Sequence, residues 1–173
     1  MFAIRPAKLG DLDAITEIYN EAVLTTDGTF DIEPKTDVEQ RAWFATHGHK
    51  NPILVSELNG VVVGWASLSE WSSRCAYSDT AEISLYVKRE FWRRGIGRRL
   101  LEAIIEEGER VGLHTIIARI TKGNNESIHL HESVGFEHIG IMREVGRKFD
   151  KLLDVCLMQK IYPSKEQVTS KKT

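Results

Sequence analysis

Arg93-Arg94-Gly95-Ile96-Gly97-Arg98-Arg99 joins a strand-like run of residues to a helix-like run. Residues 83–87 are β-branched and aromatic, as in a buried strand, and apolar residues recur at helical spacing over 96–105. Glycine permits the tight turn and the close backbone approach that such a junction requires. The free N–H groups and the dipole at the start of a helix favour an anion there. Residues 93–99, called the phosphate loop below, therefore predict a phosphate-binding site.

The whole chain has the size and composition of one soluble globular domain, with 173 residues, 42% of them hydrophobic and 28% charged. Its formal net charge of −2 argues against nucleic acid or a membrane surface as the principal partner. Cys75 and Cys156 have no metal-binding or redox spacing, which suggests a reducing compartment. Without an apolar signal core or a run of membrane-spanning length, the expected location is the cytoplasm.

The pattern along the chain predicts an α/β domain over residues 1–162, with the element order β-α-α-β-β-β-α-β-α-β-β and helices on the faces of a mixed sheet. Residues 163–173 are polar and Lys-rich and are expected to be disordered. Asp11 is the expected N-cap of the first helix, and Gly135 is expected to end the last one. The predicted strands are 2–5, 52–57, 61–68, 80–87, 115–120, 136–145 and 152–160. Besides the helix that begins at the phosphate loop, helices are predicted over 11–23, 36–47 and 124–134.

Two common phosphate loops do not fit the sequence. The dinucleotide fingerprint requires a third glycine at the position of Leu100, and it usually belongs to the first strand of a parallel sheet. A Walker loop requires Gly-Lys-Ser/Thr, which the chain lacks. The remaining pattern is a strand, an Arg-Gly-x-Gly loop, a helix, a second strand, and then Asn-x-x-Ser.

Three motifs make the chain resemble the GNAT superfamily of acetyl-CoA-dependent N-acetyltransferases. They are Arg94-Gly95-Ile96-Gly97, Asn124-Asn125-Glu126-Ser127 and Leu130-His131-Glu132-Ser133-Val134-Gly135-Phe136. Residues 29–34, 80–87 and 146–149, followed by Asp154, resemble more narrowly the phosphinothricin and methionine sulfoximine acetyltransferase branch. The resemblance covers residues 2 to about 162. It implies a mostly antiparallel twisted sheet, acetyl-CoA as cofactor and a homodimer.

In this superfamily the loop binds the coenzyme A pyrophosphate through backbone N–H groups. The resemblance implies coenzyme A contacts at Leu85, Tyr86, Val87, Arg93, Arg94, Gly95, Ile96, Gly97, Arg98, Arg99, Asn124 and Ser127. Asn and Ser also suit helix capping, and both roles are compatible at Asn124 and Ser127. Trp92 stands where the family usually has Gln or Arg, so a side-chain contact from that position is not expected.

Acyl transfer to an amine requires a base, a donor for the oxyanion and a proton for the leaving thiolate. The resemblance implies that Glu82 is the base; the alternative is a glutamate at a strand edge in solvent. Backbone N–H groups of residues 85–87 are the implied oxyanion donors. His131 occupies the place of a tyrosine that protonates the thiolate in many relatives, or it only packs or binds pantetheine. His129 and His131 lack a third ligand at suitable spacing, so no metal is predicted.

The expected acceptor pocket consists of Phe30, Trp71, Arg74 and Tyr77, in which Arg74 clamps a carboxylate between aromatic walls. The alternative is that Trp71 and Tyr77 are core aromatics and Arg74 is a solvated charge. Phe149 stands where some phosphinothricin enzymes have histidine, which leaves methionine sulfoximine, methionine sulfone, phosphinothricin or a general L-amino acid open. The expected function is acetyl transfer to the α-amine of such a small molecule. The alternatives are a protein or peptide N-acetyltransferase and a non-catalytic coenzyme A-binding module.

Overall fold

The secondary-structure elements follow the chain in the predicted order. The computed structural model describes residues 2–163, so the tail predicted to be disordered lies, from residue 164 onward, outside the described residues. No helix within the described range is long and apolar enough to cross a membrane. The strands are β1 (Ala3–Pro6), β2 (Ile53–Leu58), β3 (Val61–Glu70), β4 (Thr80–Val87), β5 (Thr115–Thr121), β6 (Glu137–Lys148) and β7 (Lys151–Ile161). The α-helices are α1 (Leu12–Thr25), α2 (Asp37–Ala45), α3 (Ile96–Arg110) and α4 (Asn125–Glu132).

Two of the expected helix ends differ in detail from the structure. Asp11 precedes α1, but its side chain does not cap that helix. A short 3₁₀ turn, Leu9–Asp11, comes first, and the Asp11 carboxylate accepts hydrogen bonds from the Lys8 N–H and from Arg5 instead. Helix α4 ends at Glu132, and Gly135, with φ of +89°, closes the turn that follows by donating its N–H to the Glu132 carbonyl.

The sheet contains all seven strands in the order β1-β2-β3-β4-β5-β7-β6, and every neighbouring pair except one is antiparallel. The exception is the parallel pair β4–β5, which is limited to the registers Thr80↔Thr115, Ala81↔Ile116 and Glu82↔Ile117. Beyond Glu82 the two strands diverge, while β5 remains paired with β7 as far as Thr121. The sheet is therefore split along half the length of β4.

Side chains on the two faces of the sheet form two separate apolar clusters. The larger cluster contains the apolar stripe of α3, with Leu100, Leu101 and Ile104 fully buried against the sheet. The smaller cluster lies on the opposite face, where Ile15 and Ile18 of α1 pack against β2 and β3. Helices therefore cover both faces, which confirms the predicted mixed sheet and explains why β5 is almost wholly buried.

Strands β6 and β7 form a long hairpin at one margin of the sheet. Register shifts interrupt their pairing between His138 and Gly140 and between Met142 and Gly146, so β6 extends further than the sequence predicts. The far end of this hairpin reaches the loop that follows α1. The Phe30 ring lies so close to the Gly146 backbone that a Cβ atom at Gly146 would overlap it.

A substitution at Gly146 tests the contact between its backbone and the Phe30 ring. Gly146→Ala should lower the free energy of unfolding by about 1–3 kcal/mol, because an extra methyl group in a filled space forces neighbouring groups apart. Gly140→Ala in the same strand is the matched control, since nothing lies within 4 Å of the Cβ it would add. Its effect should stay within about 0.5 kcal/mol. Denaturant unfolding of the two variants measures the difference, and equal stabilities would contradict the contact.

Candidate active site

A cleft of about 1100 Å³ follows the divergence of β4 and β5. Its walls come from residues 82–87 of β4, residues 118–124 at the end of β5, the loop after α1, and the starts of α3 and α4. Because the strands separate there, backbone groups on the facing edges of β4 and β5 do not pair with each other beyond Glu82. The predicted oxyanion donors are backbone N–H groups of Leu85, Tyr86 and Val87, and the prediction requires β4 to diverge from β5 at these residues. This divergence is present.

The phosphate loop has the backbone geometry of an anion site. Gly95 takes the left-handed conformation with φ of +78°, and α3 begins directly after it with no side chain capping the helix. The first N–H groups of α3 are thus left for a ligand. A Cβ at Gly97 would lie 3.6 Å from Leu130 and 3.9 Å from Val87, so α3 approaches both α4 and the end of β4 closely.

The arginine side chains of the loop do not converge on one point. The Arg94 guanidinium lies over the Phe91 ring, and that of Arg99 lies over the Phe2 ring. Arg98 pairs with Glu102 along α3 at 2.8 Å. Among these four arginines only Arg93 lines the cleft, where it pairs with Glu126 of α4 at 2.6 Å. What the loop offers an anion is therefore its uncapped backbone N–H groups more than a cluster of guanidinium groups.

Trp92 has a structural role that the sequence did not reveal. Its indole N–H donates a hydrogen bond of 2.7 Å to the Val87 carbonyl at the end of β4. This bond ties the residue before the phosphate loop to the strand that forms one wall of the cleft. The side chain also lines the cleft and remains half exposed.

Asn124 and Ser127 lie at the start of α4, which the Arg93–Glu126 ion pair joins to the phosphate loop. The Asn124 side chain accepts a hydrogen bond of 3.2 Å from the Ser127 N–H, so Asn124 is the N-cap of the helix. Both residues also line the cleft. The capping role is therefore observed, and the location leaves room for a cofactor contact as well.

Glu82 lies in the cleft at the point where β4 and β5 separate, and it is not a solvated carboxylate. The Arg119 guanidinium binds it side-on, with Nε–Oε1 at 2.6 Å and Nη2–Oε2 at 2.8 Å. Arg119 lies two residues beyond Ile117, the last residue of β5 that pairs with β4, so the ion pair spans the divergence. Each Glu82 oxygen keeps lone pairs that can accept a proton or a water.

Arg119 was missed by the sequence analysis. Its signal is a single charged residue within the apolar run Ile116-Ile117-Ala118-Arg119-Ile120, where every other side chain is buried. A charged residue in an otherwise buried strand indicates that the sheet is open there or that the charge is paired, and both hold for Arg119, which is half exposed and paired with Glu82. Arg119 also lies over the Trp71 ring, with 5.9 Å between Cζ and the ring centroid.

His131 is buried on α4 and packs edge-to-face against Phe136. Its Nδ1 lies 2.8 Å from the Ser127 carbonyl oxygen, which can only accept, so the proton is on Nδ1. Burial lowers the pKa of His131, and the ring is neutral at pH 7. Within residues 2–163, no hydrogen bond engages Nε2, and the side chain lines the cleft.

The loop after α1 forms part of the cleft wall, and the β6–β7 hairpin holds it in place. The buried Lys148 ammonium donates a hydrogen bond of 2.8 Å to the Thr29 carbonyl, and burial lowers the pKa of this lysine. Phe30, which lines the cleft as expected of an acceptor residue, packs on Gly146. The shape of this wall therefore depends on a hairpin more than 110 residues away in sequence.

Aromatic side chains line a second cavity of about 450 Å³, which shares Tyr19 and Tyr86 with the cleft. Its walls include the polar side chains of Asp31, Lys35, Glu39, Gln40 and Ser84. They also include Trp43 of α2 and Trp65 of β3, whose ring centroids lie 5.4 Å apart. These rings suit a short side chain with a polar head. The sequence did not reveal this aromatic cavity, because Trp43 and Trp65 have the spacing of ordinary core residues.

The other expected acceptor residues lie outside the cleft. Arg74 and Tyr77 are exposed at the two ends of a 3₁₀ turn that precedes β4, and Trp71 reaches the site only through Arg119. The reason is topological: β4 and β5 are paired at Thr80–Glu82, so the cleft is closed at the end from which this loop emerges. Within one chain, the Arg74 side chain therefore lies outside the cleft, where it does not serve as the expected carboxylate-binding group.

Taken together, the described residues provide an uncapped helix start, a carboxylate paired with an arginine and a neutral imidazole around one cleft. Over residues 2–163, no group of three His, Cys, Asp or Glu side chains is arranged to hold a metal ion. The arrangement is suited to group transfer from a phosphate-bearing donor to a nucleophile.

Comparison with known proteins agrees with this geometry. The model of the Acetyltransferase (GNAT) family matches residues 13–136. The chain is 42% identical to the L-amino acid N-acyltransferase MnaT of Escherichia coli and 40% identical to the L-methionine sulfoximine/L-methionine sulfone acetyltransferase of Pseudomonas aeruginosa, in each case over 91% of this chain and 92% of the relative.

Solved structures have the same fold. The ribosomal-protein-alanine N-acetyltransferase of Brucella melitensis superposes with a TM-score of 0.90 at 38% identity, covering 92% of this chain and 99% of that one. The GNAT superfamily phosphinothricin acetyltransferase of Sinorhizobium meliloti, in complex with AcCoA, superposes with a TM-score of 0.89 at 32% identity, covering 95% and 94%. With its cleft, its phosphate loop and these relatives, the chain belongs to the GNAT acetyltransferase family.

Proposed function

We propose that this enzyme transfers the acetyl group of acetyl-CoA to the α-amine of a small L-amino acid or of an analogue such as methionine sulfoximine, methionine sulfone or phosphinothricin. The observation that carries the proposal is the cleft itself, which has an anion-binding helix start at one end and the Glu82 carboxylate beside an aromatic cavity at the other. The names of the relatives support this class of acceptor.

The reaction releases two protons from the acceptor, because an ammonium group becomes an amide. Glu82 accepts the first proton, directly or through water, and the free amine attacks the thioester carbonyl carbon. Backbone N–H groups of Leu85 and Val87, on the edge of β4 that faces the cleft, stabilise the resulting oxyanion, whereas the Tyr86 N–H points toward β3. The C–S bond then breaks, and neutral His131 takes the second proton at Nε2 and delivers it to the departing thiolate.

A peptide or protein N-terminus is the second candidate acceptor. The name of the Brucella structural relative favours it, since that enzyme acts on a ribosomal protein by its description. The two acceptors differ in one group: a free amino acid has a carboxylate next to the amine, whereas a peptide has an amide there.

We also propose that the enzyme resides in the cytoplasm and forms a homodimer. Both cysteines are free, which suits a reducing compartment. The β6–β7 hairpin exposes a set of large apolar side chains that would be covered in a dimer. They are Ile139, Ile141, Val145, Phe149 and Leu152.

Glu82→Gln should lower kcat by about 100-fold or more, because the variant lacks a group that can take the ammonium proton. Acetyl-CoA binding, measured by calorimetry, should remain close to wild type, since the phosphate loop is untouched. The measurement is release of coenzyme A thiol with L-methionine sulfone as acceptor. Glu107→Gln is the matched control, because Glu107 is also paired with an arginine, Arg110, but at the far end of α3. Unchanged turnover in Glu82→Gln would rule out Glu82 as the base.

His131→Gln should lower kcat about 100-fold while leaving the KM for acetyl-CoA near its wild-type value. The active form of the ring is neutral and burial lowers its pKa, so wild-type kcat should persist as the pH falls through 6.5 and should decline only below that value. His129→Gln on the same helix is the control. If His131 only packs in the core, the variant will lose thermal stability but keep its kcat.

Light scattering after gel filtration should give twice the mass of the chain. Ile141→Glu should convert the protein to monomers, since a charge in the middle of an apolar interface loses its hydration. Val38→Glu, at an exposed position of α2, should leave the dimer intact. A wild-type protein that runs as a monomer at all concentrations would contradict the homodimer.

A further inference from the structure

The Glu82–Arg119 ion pair places a negative and a positive group side by side within the cleft. A guanidinium has five N–H donors, and Glu82 engages only Nε and one donor of Nη2. The Arg119 side chain is 51% exposed, whereas that of Glu82 is 22% exposed. The free Nη1 edge of Arg119 is therefore available to a second carboxylate.

The charges of a free α-amino acid have the complementary arrangement. Its ammonium and its carboxylate are attached to the same carbon, so they lie as close together as the two halves of this ion pair. Glu82 would meet the ammonium group from which it removes a proton, and Arg119 would meet the carboxylate. Arg–carboxylate contacts are directional, so they also fix the orientation of the amine.

The other cationic side chains of the cleft are less suited to this task. Lys122 is paired with Asp154 at 3.2 Å. Arg89 lies shortly before the phosphate loop, and Arg93, the first residue of the loop, is paired with Glu126. Lys148 is buried behind Thr29 and does not line the cleft. Arg119 is the cleft cation that lies beside the base.

We infer that Arg119 is the binding residue for the acceptor's α-carboxylate, and that the Glu82–Arg119 pair selects free α-amino acids over peptides and simple amines. This inference rests on the proposed acetyl transfer. It replaces Arg74 as the expected clamp and gives Arg119 a second role besides positioning Glu82.

The test compares two acceptors that differ only at the carboxylate: L-methionine sulfone and L-methionine sulfone amide. For the wild-type enzyme, kcat/KM should favour the acid by about 10- to 100-fold, the value of a charge-assisted hydrogen bond that the amide cannot form. Arg119→Gln should reduce this preference to about threefold or less, while acetyl-CoA affinity remains unchanged. Dividing the variant ratio by the wild-type ratio cancels the different basicity of the two amines.

Two further variants separate binding from positioning. Arg119→Lys keeps a positive charge beside Glu82 but loses the planar fork, so turnover should persist while the preference for the acid falls several-fold. This variant gives the decisive ratio if Arg119→Gln is too slow to measure. Arg110→Gln removes an exposed, ion-paired arginine far from the cleft and should retain the wild-type ratio.

The outcomes distinguish the inference from the proposed function. If the wild-type enzyme releases no thiol with either acceptor, the proposed function fails. If it acetylates acid and amide equally well, or if both Arg119 variants keep the wild-type preference, acetyl transfer stands and the inference is wrong. If Arg74→Gln abolishes the preference for the acid and the Arg119 variants do not, the carboxylate binds at Arg74, in the loop before β4, and not at Arg119.

Discussion

The limited pairing of β4 with β5 is the constraint on which the rest of the structure depends. Three register pairs hold the strands together at Thr80–Glu82, and beyond them β5 is bonded only to β7. A fully paired sheet would use the backbone groups of both strands and leave no space between them. Because the strands part, the start of α3 and the start of α4 lie side by side at the open end of the cleft. The same divergence sets the position of Glu82, which lies at its closed end.

The two ends of the cleft differ in the groups they present, which are backbone N–H groups at one end and side chains at the other. At the phosphate loop the groups left free for an anion are backbone N–H groups, and the nearby arginine side chains are engaged with Phe91, Glu102 and Phe2. At the other end the functional groups are side chains that other side chains fix in place, as Arg119 does for Glu82. Backbone recognition tolerates substitution, which explains how Trp92 is accommodated. Side-chain chemistry does not tolerate substitution, so the choice of acceptor is altered by mutation more easily than the binding of the cofactor.

The sequence predicted the order of elements, the phosphate loop and the family, because each depends on local patterns: apolar periodicity, glycine spacing and short motifs. It also singled out Glu82, which lies in the cleft, although its catalytic role stays a prediction. It could not reveal the contacts that join distant segments. The Glu82–Arg119 pair, the Lys148–Thr29 hydrogen bond and the Phe30–Gly146 contact all connect residues at least 37 positions apart. The loop with Arg74 was placed at the acceptor pocket because nothing local shows that β4 and β5 are paired at that end.

The register shifts in β6 have a consequence for how copies of the chain can meet. A long, regular edge strand is a template on which another strand can be added, and proteins with such edges tend to polymerise. Here β6 is interrupted twice, with Glu144 in a left-handed conformation. At the opposite margin β1 is only four residues long and ends in Pro6, which has no N–H to donate. Both margins are therefore poor templates for a strand from a neighbouring molecule, which disfavours open-ended growth of the sheet from copy to copy.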